Sequence, residues 1–305
     1  MPISNFPNGF ADGVTIRGVP LLSAYPGKVY WVSSVVGSNG NAGTFERPWA
    51  TLDYAVGRCT ANKGDMIVAL PGHVETVTAA GGLDLDVAGI CLLGLGTGSL
   101  RPTVNFTTAV GADMDVDAAN ITVVNFLFTG SVDALTGPID VNSADFAMIN
   151  CETRDAGSAQ ATDFIVSAGD RLFIDGWIHR GAAAAGADTA ISIIAGDGCT
   201  IKNFWIDGNF AVAAIENVTA AATNLTIGGG EPSYIRTRNA NDIAITLVAT
   251  ATGNVGPNIY IRLQDDATNV TECLVGADMQ FFTPIEVVNA DGERSTTWDG
   301  TQSTG

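Results

Sequence analysis

A chain of 305 residues that is 46% hydrophobic can bury a large core, and 36 glycines with only 15% charged residues suit turn-dense β structure better than helices. A formal net charge of −18 repels phosphate backbones and anionic headgroups, so neither nucleic acid nor a membrane is an expected partner. The first residues lack a charged leader with an apolar core, and no apolar run approaches about twenty residues. Neither a signal peptide nor a membrane span is therefore expected, and synthesis in a cytoplasm is.

Residues 1–27 carry four of the eleven prolines and no sustained period, yet Phe6, Phe10, Val14, Ile16, Val19, Leu21 and Leu22 are too apolar for a solvated linker. This extended arm, with Arg17 among its apolar residues, is expected to dock, either on its own domain or as an anchor to a larger assembly.

Residues 28–77 begin with the strand Val29-Tyr30-Trp31-Val32 and the Gly/Asn loop from Gly37 to Thr44. The best helix candidate of the chain follows, Pro48 to Val56, with Leu52, Ala55 and Val56 on one face and Thr51 or Pro48 near its start. A short helix here can cap the open end of a β-solenoid. Gly64 to Gly72 then reads as turn, strand, turn.

From residue 78 to 258 a turn-then-strand phrase recurs about every 25 to 30 residues, marked by Gly89, Asn120, Asp145, Asp170, Gly198, Asn224 and Asn258. Each marker sits among small residues ahead of a short, β-prone apolar run. A unit this small cannot bury its apolar face alone, so its copies must stack.

On the residues Tyr30-Trp31-Val32, Gly37 to Thr44, Pro48, Thr51-Leu52, Ala55, Gly64-Asp65, Ile67 and Pro71-Gly72, the chain resembles the right-handed parallel β-helices of the pectin-lyase-like superfamily, which phage tailspikes and related virion proteins share. The fold class that follows is all-β: a right-handed parallel β-helix with an extended N-terminal arm and a short N-terminal capping helix. Residues 259–305 are expected to add C-terminal strands and a polar tail.

Stacking the phrases Val124 to Thr129, Ile149 to Arg154, Ile174 to His179 and Lys202 to Asp207 predicts an interior of Phe126, Cys151, Gly176 and Phe204 with Phe128, Thr153, Ile178 and Ile206. Two outward ladders result: Leu127, Glu152, Trp177, Trp205, and Thr129, Arg154, His179, Asp207. Asn125, Asn150, Asp175 and Asn203 would form a polar turn ladder whose amides bond along the axis. The Trp177/Trp205 strip suits either a subunit contact or a glycan groove.

Catalytic signals are sparse. Glu152 and Asp207 stand in different columns, two steps apart, and could just span the gap of an inverting glycosidase. The Lys/Arg base arrangements and paired-aspartate signatures of pectin-active relatives are missing, so no catalytic residue is assigned. His179 could pair with Asp207 across a rung. The runs Asp84-Leu85-Asp86 and Asp113 to Asp117 lack the Gly and terminal Glu of a calcium loop and read as solvent-facing strand carboxylates. Five scattered cysteines (Cys59, Cys91, Cys151, Cys199, Cys273) without metal spacing read as buried thiols. No metal and no cofactor are expected.

The phrases Phe6 to Phe10 and Gly13 to Pro20 are similar to the amino-terminal arms of phage structural proteins. With the fold resemblance this implies a non-enzymatic protein of a tailed-phage virion, a homotrimeric capsid decoration protein anchored on the major capsid protein or another virion protein. A short tailspike that cleaves host polysaccharide and a glycan-binding adhesin are the alternatives.

Overall fold

The computed structural model describes residues 15–16, 19–20, 27–155, 160–182, 187–217, 219–238, 243–265, 273–274 and 278–295. Three long sheets run side by side along a β-solenoid of about eight turns. The first has ten strands, from Val29–Val32 to Met279–Phe281; the second has ten, from Val74–Val77 to Arg294–Ser295; the third has eight, from Leu83–Asp84 to Cys273–Leu274. Each coil contributes one strand to each sheet, as Thr122–Val124, Leu127–Gly130 and Leu135–Val141 do. The next coil then pairs with it in parallel, Thr122 against Ala147 and Leu127 against Glu152.

The corners follow from local chemistry. A single left-handed residue separates the first sheet from the second: Asn125 (φ 61°), Asn150 (52°), Gly176 (73°) and Asn203 (54°). Asn tolerates this region because its short amide satisfies nearby backbone, and glycine has no Cβ to clash. The Asn125 amide donates to the carbonyls of Gly94 and Gly96, and the Asn203 amide to Asp175 Oδ1 at 2.6 Å. The polar ladder thus bonds to backbone and to Asp175 rather than amide to amide. Asn258 (φ 64°) precedes Ile259–Leu263 at this same corner, not at the one marked by Asn120 and Asn224.

At the corner before the first sheet, the left-handed residues are Asn120, Asp145, Arg171, Gly198 and Asn224. The repeat spacing marks Asp170 for this place. Arg171 occupies it at φ 54°, and its guanidinium grips Asp145 on the coil below, Nε to Oδ1 2.6 Å and Nη2 to Oδ2 2.9 Å. That one-residue difference moves the whole following phrase. Gly176, not Asp175, fills the turn, and the expected facing of Trp177, Ile178 and His179 is reversed.

The inner columns are accordingly Phe126, Cys151, Trp177, Phe204 and Phe128, Thr153, His179, Ile206, all buried. Aromatic rings stack along the core, Phe106 on Phe128 at 6.5 Å between centroids. Rows of like side chains at the spacing of about 4.8 Å between parallel strands give the stack its apolar spine.

The helix Leu52–Val56 lies where the sequence puts it, capped by Thr51 Oγ1, which accepts from Tyr54 N–H, and burying Leu52, Ala55 and Val56. Leu52 N–H donates to Glu75 Oε2 at 2.8 Å, and His73 bridges the same carboxylate to Ser34 N–H. This buried polar link ties the capping segment to the first coil.

Parallel pairing continues past residue 258, with Ile259–Leu263 on Ser233–Thr237 and Ile285–Val288 on Ile259–Leu263. Arg294–Ser295 turns back antiparallel at the end of the second sheet. In the arm, Thr15–Ile16 and Val19–Pro20 form a short antiparallel ladder, while Phe6, Phe10, Val14, Arg17, Leu21 and Leu22 lie outside the described residues.

Candidate binding face on the second sheet

The outer columns of the second sheet place the candidate residues. One reads Leu127, Glu152, Ile178, Trp205, Tyr234, Tyr260, Glu286; its neighbour reads Thr129, Arg154, Arg180, Asp207, Arg236, Arg262, Val288. Glu152, Arg154, Trp205 and Asp207 therefore face outward as expected. Trp177 and His179 do not: they are 0% and 1% exposed, and Ile178 and Arg180 stand in their places. Neither can form part of a surface strip, and His179 does not share a column with Asp207.

Trp205 and Tyr234 are 48% and 40% exposed, which is unusual for side chains of that size. Trp205 packs on Tyr234 at 5.2 Å between centroids, and Tyr234 on Tyr260 at 5.3 Å with only 22° between planes. These three rings, with Arg236, Arg262, Glu286 and Arg294, line a groove of about 440 Å³. A second groove of about 410 Å³ on the same face is lined by Arg101, Leu127, Glu152 and Arg154.

Both outward carboxylates are clamped. Glu152 meets Arg101 (3.2 Å), Arg154 (Nε 3.2 Å) and Arg180 (3.2 Å). Asp207 is gripped by Arg236 and by Arg238, the latter through Nε at 2.8 Å and Nη2 at 2.7 Å. Partial burial alone would raise the Asp207 carboxyl, but Arg238 and Arg236 outweigh it and hold it below the usual range. Glu286 takes Arg294 at 3.0 Å, and among the described residues Arg262 has no ion-pair partner. Half of the fourteen lysines and arginines of this acidic chain, namely Arg101, Arg154, Arg180, Arg236, Arg238, Arg262 and Arg294, thus gather on one face.

The third sheet is the electrical opposite. Asp84, Asp115 and Asp140 stand in register on successive coils, with the flanking Leu83, Met114 and Ile139 turned inward. Burial first, then Asp113, Asp140, Asp117 and Asp84, push the Asp115 carboxyl up to about 6. Asp84 and Asp140 are raised as well, again by burial first. Among the described residues no lysine or arginine pairs with this row, and no group of three or more His, Cys, Asp or Glu side chains is arranged to hold a metal ion.

Tyr234, Tyr260, Arg180, Arg236 and Arg262 escape the sequence reading, although a signal for most of them exists. The phrase Tyr-Ile-Arg occurs at Tyr234-Ile235-Arg236 and again at Tyr260-Ile261-Arg262, one coil apart, and extends the Trp205-Ile206-Asp207 pattern.

No protein-family model matches the sequence, and no curated protein matches it. Among solved structures, the selenomethionine derivative of GH136 lacto-N-biosidase from Eubacterium ramulus superposes with a TM-score of 0.51 at 13% identity, over 86% of this chain and 55% of that one. A rhamnogalacturonan lyase gives a TM-score of 0.45 at 14% identity over 90% of both chains. The chain spans about half the length of the biosidase, and at such identities the likeness is one of fold alone.

Proposed function

We propose that the protein is a non-catalytic structural component of a tailed-phage virion, a homotrimeric capsid decoration protein held through its N-terminal arm. The single observation that carries the non-catalytic part is the clamping of Glu152 and Asp207. A glycosidase needs one carboxyl raised enough to donate a proton, and Asp207 is shifted the other way. Glu152 has its oxygens committed to three guanidiniums. The resemblance of the arm and of the coils to phage proteins supports the virion part, and the surplus of acid elsewhere would keep the exposed solenoid from sticking to neighbouring surfaces.

Electron microscopy of particles carrying the protein, combined with a reducing-sugar assay on bacterial surface glycans, tests the reading. Density at fixed positions on intact heads and no sugar release are expected. Sugar release that falls on Glu152→Gln or Asp207→Asn would overturn it.

A second reading, a glycan-binding adhesin, draws on the exposed rings of Trp205, Tyr234 and Tyr260. It requires retention on polysaccharide that weakens with Trp205→Ala.

A further inference from the structure

We propose that the arginine-and-aromatic face of the second sheet docks on the carboxylate row of the third sheet of a second copy of this chain. The proposal rests on the homo-oligomer reading above and names the two surfaces that meet.

Four observations carry it. The first is complementarity: seven guanidiniums face three carboxylates on the second sheet, whereas Asp84, Asp115 and Asp140 form a row without a cationic partner among the described residues. Second, the two rows lie on different sheets of one rigid stack, so they cannot neutralise each other within a chain. A second molecule is needed.

Third, both rows climb the same axis at one strand spacing, about 4.8 Å per coil. Two copies with parallel axes therefore set the consecutive pairs Arg154 and Arg180, or Arg236 and Arg262, at the interval of the carboxylates, with the already clamped Asp207 between the two pairs. Fourth, the guanidiniums flank exposed Trp205 and Tyr234, and aromatic residues with arginine are the types enriched at the centres of protein interfaces.

The ring geometry favours a protein partner over a sugar. A pyranose stacks on an open ring face, but Tyr234 is sandwiched between Trp205 and Tyr260. Nucleic acid is disfavoured by the net charge of −18.

Because two different surfaces meet, the contact is heterologous: it closes into a ring or propagates as a fibre according to the rotation between copies. Sedimentation velocity on the full chain at low and high salt tests it. The native protein should form a discrete oligomer that dissociates as salt screens the charges. Arg262→Glu, which disturbs no ion pair among the described residues, and Asp115→Lys should each weaken association by about tenfold or more. The protein carrying both reversals should regain part of the association, since the two introduced charges are opposite in sign across the contact, with circular dichroism confirming the β content of each variant.

Oligomerisation indifferent to salt and to both reversals would overturn this assignment of faces while leaving a trimer in place. A monomer at every concentration would overturn it together with the homo-oligomer reading, and a monomer retained on polysaccharide would give the face to a glycan. Absence from phage heads with intact salt-sensitive assembly would sink the virion reading alone.

Discussion

Trp177 donates its indole N–H to the Thr153 hydroxyl at 2.8 Å inside the coil stack, and that hydroxyl lies 2.9 Å from His179 Nδ1. The Thr153 oxygen accepts from Trp177 and either gives its own proton to Nδ1 or accepts a second hydrogen bond from it, according to the imidazole tautomer. Nε2 has no partner among the described residues, and the rings of Phe164, Trp177 and Phe210 surround the imidazole at 5.7 to 5.9 Å. A buried indole in this position contributes strongly to stability, whereas Trp205 on the next coil does not. Trp177→Ala is expected to cost about 3–5 kcal/mol, and Trp205→Ala less than about 1 kcal/mol in the isolated chain. Denaturant unfolding of the two variants measures the contrast directly.

The pH dependence of stability should carry the mark of His179. Burial lowers its pKa from the ordinary 6.5 to about 3, only partly opposed by Asp207. The unfolded chain therefore binds more protons than the folded one between these values, so the stabilising contribution is complete above about 6.5 and fades as pH falls toward about 3. His179→Leu should lose less stability than the native protein across that window. Parallel loss in both proteins would show that the imidazole is not the group responsible.

Asp115 acts in the opposite sense. Its pKa is raised from 3.8 to about 6, so the folded chain holds the extra proton and stability falls as pH rises through that interval. Asp115→Asn should raise the melting temperature at neutral pH and leave it nearly unchanged near pH 4, as read by thermal scans at the two conditions.

Asp207 is the hub of the basic face. With its charge removed, Arg236 and Arg238 are left one neutral amide oxygen in place of a carboxylate, and Asp207→Asn is expected to destabilise by about 1–3 kcal/mol. Because its folded pKa lies below 3.8, the stabilisation it supplies is present above about 4 and lost on further acidification. A double-mutant cycle of Asp207→Asn with Arg238→Gln isolates the pair.

Much of this architecture is written locally. Asn120, Asn125, Asn150, Asn203 and Asn224 announce their corners because few residues accept a left-handed backbone, and Thr51 with Leu52, Ala55 and Val56 announces the capping helix. What hides is the register of one coil. Arg171 holds a backbone region that costs an ordinary residue roughly 1–2 kcal/mol, with its ion pair to Asp145 on the adjacent coil, and no local pattern reveals that contact. The slip then carries through: alternation favours Ile178 inside, but the polar trio Thr153, Trp177 and His179 satisfies most of its own hydrogen bonds there instead. Glycine at position 176 is the cue that corrects it, since it suits the turn better than aspartate. The basic face is harder still to see, because its arginines are dispersed along the sequence and meet only when coils stack.

In the proposed assembly Tyr234 and Tyr260 lie on a surface covered by a second copy, while Trp177 lies in the core. Hydroxyl-radical footprinting of the protein at low salt and at dissociating salt tests both parts in one measurement. Tyr234 and Tyr260 should be protected at low salt and oxidised when copies separate, with Trp177 protected throughout. Equal oxidation of the two tyrosines in both conditions, or ready oxidation of Trp177, would contradict it.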